Sequence, residues 1–256
     1  MIRNNNEISQ RYEKVKVLDV QFDNVTMKSM YQHIMGYCTK NTGRNLFIVT
    51  ANPEIVQYAS ETPQYAEVIQ QADYVVPDGI GIVHAARLLK TPLQARVPGI
   101  ELMELCFGIA EKERKKVFLL GAKEEVLNKA IHRIQSRYPN IIIKGHHGYI
   151  NQDDVSIAEE ICAFNPDFLF VGMGYPKQEE WIQMYRKCFT HTVMMGVGGS
   201  IDVWSGEVKR APLIWQKLNL EWLYRSIKDI KRIKRLQRLP KFVWAVLKQK
   251  YTNVGE

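Results

Sequence analysis

The sequence predicts an α/β fold: a mostly parallel sheet with helices on both faces, followed by a basic helical C-terminal appendage. Three observations carry this. Short β-branched and aromatic runs alternate with helix-like stretches along most of the chain, the pattern of a parallel sheet built from crossover units. Two of those runs, Phe118-Leu119-Leu120 and Phe168-Leu169-Phe170-Val171, are apolar at every position, as strands buried on both faces require. The composition then changes after about Trp204, where basic residues at helical spacing take over.

Taken in order, the predicted strands are residues 15–22, 46–50, 74–76, 117–120, 141–144, 168–172 and 193–197. Between them fall predicted helices at 27–38, 53–60, 63–71, 81–89, 100–111, 123–138, 153–164 and 176–189. Asn52 is a good N-cap and Pro53 a good first helical residue. Asp153-Asp154 suit the cap of the helix after Tyr149-Ile150-Asn151. Beyond the core, Leu223, Ile227, Ile230, Ile233 and Leu236 recur every three or four residues. Residues 225–241 carry eight Lys and Arg against the single acid Asp229, so the segment reads as an amphipathic basic helix. After Pro240 comes a second apolar-basic stretch, 242–248, with Trp244 among aliphatics and flanking lysines, as in interfacial helices. The division is a catalytic core over 1–205 and a helical, membrane-proximal appendage over 206–256.

The chain has 256 residues, 46% hydrophobic and 24% charged, an ordinary globular balance. No apolar run approaches the roughly 18–20 residues needed to span a bilayer. The start, Met1-Ile2-Arg3-Asn4-Asn5-Asn6, is polar and lacks the apolar segment of a signal peptide. A cytoplasmic protein is expected. Cys38, Cys106, Cys162 and Cys188 form no C-x-x-C pair and read as buried or idle thiols. The net charge of +8 fits anionic lipid, phosphorylated substrate or nucleic acid. Nucleic acid is set aside because no helix-turn-helix, RNA-binding or zinc signature accompanies the charge. The basic helix is then either a membrane-surface element or a solvated helix packed on its own domain.

In an open parallel sheet, ligands bind at the carboxyl ends of the strands. Four polar or glycine-rich segments fall there. Thr50-Ala51-Asn52-Pro53-Glu54 can offer the backbone N–H groups of a helix start to an anion, though a plain cap also explains Asn52 and Pro53. Pro77-Asp78-Gly79 puts a carboxylate at a strand tip, where it can serve as general base. An Asp-Gly turn has conformational reasons of its own. Gly172-Met173-Gly174-Tyr175-Pro176-Lys177-Gln178-Glu179 suits a phosphate or sugar contact. Gly196-Val197-Gly198-Gly199-Ser200-Ile201-Asp202 allows close backbone approach, and Asp202 suits ribose hydroxyls. Neither glycine pair completes G-x-G-x-x-G, which argues against a nicotinamide oxidoreductase. Walker A, H-E-x-x-H and Asp-x-Asp are missing, so neither a catalytic metal nor a cofactor is expected. A substrate diphosphate must then be neutralised by the protein. Arg225, Arg232 and Arg235, on one face of the basic helix, are suited to it.

Together these segments resemble the WecG/TagA glycosyltransferase family, which includes the N-acetylmannosaminyltransferases of wall teichoic acid synthesis. The matching stretches begin at Thr50, Pro77, Arg96 (Arg-Val-Pro-Gly-Ile-Glu-Leu), Phe118, Gly172, Gly196 and Arg210, the last running through Leu220-Glu-Trp-Leu-Tyr-Arg225. They come in the family's order and cover nearly the whole chain from about residue 15. The resemblance implies a Rossmann-like core with a C-terminal appendage. It implies UDP-N-acetylmannosamine as donor and undecaprenyl-diphosphate N-acetylglucosamine as acceptor. A β-linked disaccharide would form by inversion at the donor carbon. It also implies Asp78 as general base, with Thr50, Asn52 and Gln178 lining the same pocket. Arg225, Arg232 and Arg235 would close over it from the appendage. Tyr149 and Asp202 are assigned to the uridine, and Gly172, Gly174 and Gly198 to substrate binding.

Members using another UDP-sugar, such as an N-acetylmannosaminuronic acid, share most of these motifs. The donor sugar and any homo-oligomeric state stay open at this level. A non-catalytic basic adaptor at the membrane surface is the reading from a different class, and it predicts that Asp78 is dispensable.

Overall fold

The computed structural model describes residues 12–40, 43–209, 211–212, 214–215, 224 and 238–252. The first predicted strand is corrected to a hairpin, β1 (Lys14–Val17) and β2 (Val20–Asp23), paired antiparallel around Leu18-Asp19. The reason lies in the inward residues. Val15, Val17, Val20 and Phe22 are all buried. In one continuous strand, 15 and 17 would face away from 20 and 22. Pairing Val17 with Val20 across a two-residue turn brings all four to one face.

The main sheet has six parallel strands: β3 (Leu46–Ala51), β4 (Tyr74–Pro77), β5 (Lys116–Gly121), β6 (Ile142–His146), β7 (Phe168–Gly172) and β8 (Val193–Gly196). Their order is β4-β3-β8-β7-β5-β6. The chain lays down one edge with β3 and β4, crosses to the other with β5 and β6, and returns to the middle with β7 and β8. Alternate side chains feed two cores, as the pleat dictates. Phe47, Val49, Leu169, Val171 and Met194 enter one, with Trp181 and Ile182. Leu46, Ile48, Phe168, Phe170 and Met195 enter the other, with Leu102, Phe107 and Ile134. This two-sided burial is what the uninterrupted apolar runs encode.

The helices are α1 (Met27–Lys40), α2 (Pro53–Glu61), α3 (Pro63–Gln70), α4 (Ile80–Leu88), α5 (Gly99–Glu113), α6 (Glu124–Arg137), α7 (Val155–Phe164), α8 (Lys177–Tyr185) and α9 (Ser200–Ser205). The predicted helix 176–189 is shorter than expected, because α8 gives way to a 3₁₀ turn at Arg186–Cys188. Asp154 caps α7, its side chain accepting from the Ser156 N–H at 3.0 Å.

The last described element is α10 (Arg238–Thr252), which carries Pro240 in its first turn, where no intrahelical N–H is needed. Phe242 and Val246, one turn apart, are buried in the core cluster that holds α2 and α4. The Gln249 side chain accepts from the Leu18 N–H of the hairpin at 2.9 Å. Val243, Trp244, Leu247 and Tyr251 point outward. Most of the expected basic helix, including Arg225, Arg232 and Arg235, lies outside the described residues.

All four cysteines are free thiols. Burial pushes the Cys38 thiol up to about 12 and that of Cys106 well above its ordinary value, so both are held protonated and unreactive. Cys162 and Cys188 are exposed. No helix among the described residues is long and apolar enough to cross a membrane.

Candidate active site

The strand order gathers the carboxyl ends of β4, β3, β8 and β7 side by side. The registers set Ala51 against Pro77, and Val171 against Gly196. The segments that follow each strand therefore emerge at one rim.

At the β3 tip, Asn52 does what its position suggests. Its Oδ1 accepts from the backbone N–H groups of Glu54 (2.9 Å) and Ile55 (3.0 Å), fixing the start of α2. Thr50 is buried, and its hydroxyl donates to the Gly196 carbonyl of β8 at 3.3 Å. The start of α5 closes on the same side chain. A Cβ at Gly99 would stand 2.9 Å from Thr50 Oγ1.

At the β4 tip, the Asp78 N–H donates to the Ala51 carbonyl at 3.0 Å, extending the ladder by one bond. Asp78 is half-buried beside the Asn52 segment. Gly79 follows with φ +130°, a backbone that side-chain-bearing residues rarely adopt. It starts α4 against α2, and a Cβ at Gly81 would fall 2.8 Å from Pro53 Cγ. The Val97 N–H donates to the Pro77 carbonyl at 2.8 Å, so the segment 95–98 is pinned next to Asp78. That segment carries Arg96, which lies 3.8 Å from Glu101. Arg96 belongs to one of the stretches that carry the family resemblance. Only its pinning against the β4 tip singles it out.

At the β7 and β8 tips, Gln178 joins the two glycine loops. Its Oε1 accepts from the Gly198 N–H at 2.9 Å and the Gly174 N–H at 3.2 Å. Gly172 packs under the Gly198 carbonyl, 2.9 Å from where its Cβ would be. Asp202 sits in the first turn of α9, one turn beyond Gly198. Thr50, Gly196 and Gln178 are thus contiguous, and Asn52 and Asp78 adjoin them through the β3–β4 ladder. Tyr149 lies on the loop after β6, which packs back against α8: Gln152 Nε2 donates to the Lys177 carbonyl at 2.9 Å, and the Tyr185 hydroxyl donates to the Gln152 carbonyl at 2.9 Å. Tyr149 itself is exposed, and β6 is at the far edge of the sheet from β4.

Glu179, the last residue of the stretch 172–179, has no role in the sequence pattern, and the structure gives it one. Glu179 is buried, and its carboxylate accepts from Gln178 Nε2 at 2.6 Å and from Tyr65 Oη at 3.0 Å. Burial pushes this carboxyl up to about 7, against the opposing pull of those two hydrogen bonds. Tyr65 is driven upward in turn by its own burial and by the carboxylate beside it. Among the described residues, no group of three or more His, Cys, Asp or Glu side chains is placed to hold a metal ion.

Four helices, α2, α4, α8 and α9, start directly after the four strands of this rim. Their N-terminal partial positive charges suit an anionic ligand. Similarity to known proteins agrees with this geometry. The chain is 52% identical over 237 residues, 93% of its own length and of theirs, to proteins of Staphylococcus aureus strains MW2 and NCTC 8325. Both are named N-acetylglucosaminyldiphosphoundecaprenol N-acetyl-beta-D-mannosaminyltransferase. Residues 15–255 match the model of one family, and the chain belongs to that family, the glycosyl transferase WecG/TagA/CpsF family.

Proposed function

We propose that this chain transfers N-acetylmannosamine from UDP-N-acetylmannosamine to undecaprenyl-diphosphate-linked N-acetylglucosamine. The product is the β-linked lipid disaccharide of wall teichoic acid linkage-unit synthesis. The observation that carries the reading is the placement of Asp78 beside Asn52 and Thr50, at a rim where four helices begin. The relatives' names support the transferred sugar and the lipid acceptor, while UDP as the sugar's carrier is part of the proposal.

In this scheme Asp78 takes the proton from the acceptor hydroxyl as that oxygen attacks the donor's anomeric carbon. The C–O bond to UDP breaks on the opposite face, and the configuration inverts. General-base help of this kind is worth about 10²–10⁴-fold in rate. Asn52 and Thr50 hold sugar hydroxyls, and Gln178 offers its second amide N–H. The glycine loops let backbone N–H groups approach the diphosphate, and Asp202 reaches the ribose, with Tyr149 toward the base. Charge on the departing UDP is met by helix N-termini and by Arg225, Arg232 and Arg235 from the appendage, without a metal.

The core over 1–205 carries the sheet and the appendage over 206–256 completes the site at the membrane. The outward face of α10, with Trp244 between Lys241 and Lys248, supports docking on the inner leaflet.

The test is UDP release from UDP-N-acetylmannosamine with lipid-diphosphate N-acetylglucosamine, in EDTA, for the wild type and Asp78→Ala. Acceptor-dependent turnover that survives EDTA and collapses in the variant is the expected result. Turnover with a different UDP-sugar only would change the donor. Undiminished turnover in Asp78→Ala would sink the base assignment.

A further inference from the structure

The transfer scheme uses Gln178 but not the two buried groups behind it. Glu179 is 1% exposed and Tyr65 likewise 1%. They sit on α8 and α3, on the core side of the Gly174 and Gly198 loops. The amide of Gln178 has two chemically different ends, and its surroundings allow one orientation. Two backbone N–H donors, from Gly174 and Gly198, converge on one end, which must therefore be the oxygen. The NH₂ end is turned to Glu179 Oε1 at 2.6 Å. β8 closes the arrangement from beneath, since a Cβ at Gly196 would stand 2.6 Å from Gln178 Nε2 and 2.9 Å from Glu179 Oε1.

We propose that Glu179 is a positioning residue for the transfer reaction: its carboxylate locks the Gln178 amide in the orientation that clamps the Gly174 and Gly198 loops together. The proposal rests on the reading of this rim as the transfer site.

The lock needs an acceptor that receives two donors, Gln178 N–H and Tyr65 O–H, and an ionised carboxylate is the side chain that only accepts. A protonated carboxyl would present an O–H to one of them. If the amide then turned over, its NH₂ would meet the two loop N–H groups, donor against donor, with no acceptor between. The groups facing Glu179 are Tyr65 from α3, Gln178 and Glu180 from its own helix, and Gly196 from β8, which does not titrate. Tyr65 in turn touches Tyr58 from α2 and feels Tyr175 from the β7–α8 loop. Burial raises the Glu179 carboxyl to about 7, so the lock is set above neutrality and released below it.

The test is the pH profile of kcat/KM for UDP release, from pH 5.5 to 8.5, with UDP-N-acetylmannosamine and the lipid acceptor. Wild type should fall toward tenfold per pH unit below about 7, as a single essential ionised group requires. Glu179→Gln keeps an acceptor oxygen for Gln178 and turns its own NH₂ to the Tyr65 oxygen. It should restore most of the turnover that Glu179→Ala loses, and its profile should lack the limb near 7. Tyr65→Phe removes one donor to the charged form, so the limb should move upward. Thermal melts of each variant separate misfolding from loss of the clamp.

A limb in Glu179→Gln identical to wild type would overturn the proposal, as would full turnover in folded Glu179→Ala. Asp78→Asn is the control for the site itself. If it keeps full turnover, the transfer-site reading fails whatever Glu179 does. If it is inactive and Glu179→Gln keeps the wild-type limb, the positioning proposal alone fails.

Discussion

Arg238, at the start of the C-terminal helix, donates to the Tyr175 hydroxyl at 2.9 Å. Its guanidinium lies 5.8 Å from the centre of the Tyr175 ring and 5.2 Å from that of Tyr58. Tyr175 belongs to the loop that carries Gly172 and Gly174, and Tyr58 to α2. One cation therefore ties three pieces together: the C-terminal helix, the helix capped by Asn52, and the loop clamped by Gln178.

Arg238→Ala should cost stability and weaken catalysis at once. A partly buried cation–π contact with a hydrogen bond is worth on the order of 1–2 kcal/mol. The expected result is a thermal midpoint lower by a few degrees. It should come with a several-fold drop in kcat/KM as the Tyr175 loop loosens. Arg238→Lys keeps the charge but not the flat stacking surface, and should recover only part of either loss. Equal kcat/KM in all three proteins would separate this contact from catalysis.

Gly196→Ala should be far more damaging than a methyl group usually is. The new Cβ would fall 2.6 Å from Gln178 Nε2 and 2.9 Å from Glu179 Oε1, both in the buried lock. Overpacking of this kind typically costs about 1–3 kcal/mol. The variant should fold with a lowered urea midpoint and lose turnover out of proportion to that loss. Gly36→Ala on α1, where a Cβ meets nothing within 4 Å, is the matched control: it should leave turnover unchanged and hold or raise the urea midpoint, as a helix-interior Gly→Ala change does.

Much of this arrangement is legible in the residues, and the exceptions are instructive. The strands of the main sheet announce themselves because both faces are covered, so Phe168–Gly172 reads as a strand without any alternation. Asn52-Pro53 announces the start of α2 because a cap is a local event. Strand order is not local: nothing in β5 says that it lies beyond β7 rather than beside β4. Asp78 and Thr50 could be named from their positions after strands, whereas their adjacency to Gln178 depends on β8 entering between β3 and β7. Glu179 falls within the contact stretch 172–179 but carries no role of its own there, because its burial depends on how α8 is laid against β8 and α3. A signal is there, since Glu179 stands three residues before the apolar Ile182, which is buried on the same helix.

Stability and the clamp should respond to pH in opposite directions. The ordinary value for the Glu179 carboxyl is 4.5, and burial raises it to about 7 in the folded protein. Between those values the native state binds more protons than the unfolded chain, so this group's contribution to stability falls as pH rises through the window. Above about 7 the loss is complete. Urea unfolding of wild type and Glu179→Gln at pH 5 and pH 8 isolates it by difference. The substitution should remove a decline on the order of 1–3 kcal/mol. A decline of the same size in both proteins would mean that other carboxylates cause it.

The outward face of α10 should govern membrane binding and leave folding alone. Phe242 and Val246 anchor the helix to the core, while Val243, Trp244, Leu247 and Tyr251 form an apolar stripe on the other side. Lys248 lies 5.8 Å over the Trp244 ring, which puts a cation at the stripe's edge, where anionic headgroups would be met. In Trp244→Ser/Leu247→Ser, sedimentation with vesicles of anionic phospholipid should show binding weakened by about tenfold or more, with the thermal midpoint close to wild type. Raising the salt should weaken wild-type binding as well, because the lysine contribution is screened. Turnover on a short-chain, water-soluble lipid-diphosphate N-acetylglucosamine should persist in the variant while turnover on the vesicle-bound lipid acceptor falls. Unchanged vesicle binding would mean that this stripe is covered by something other than lipid.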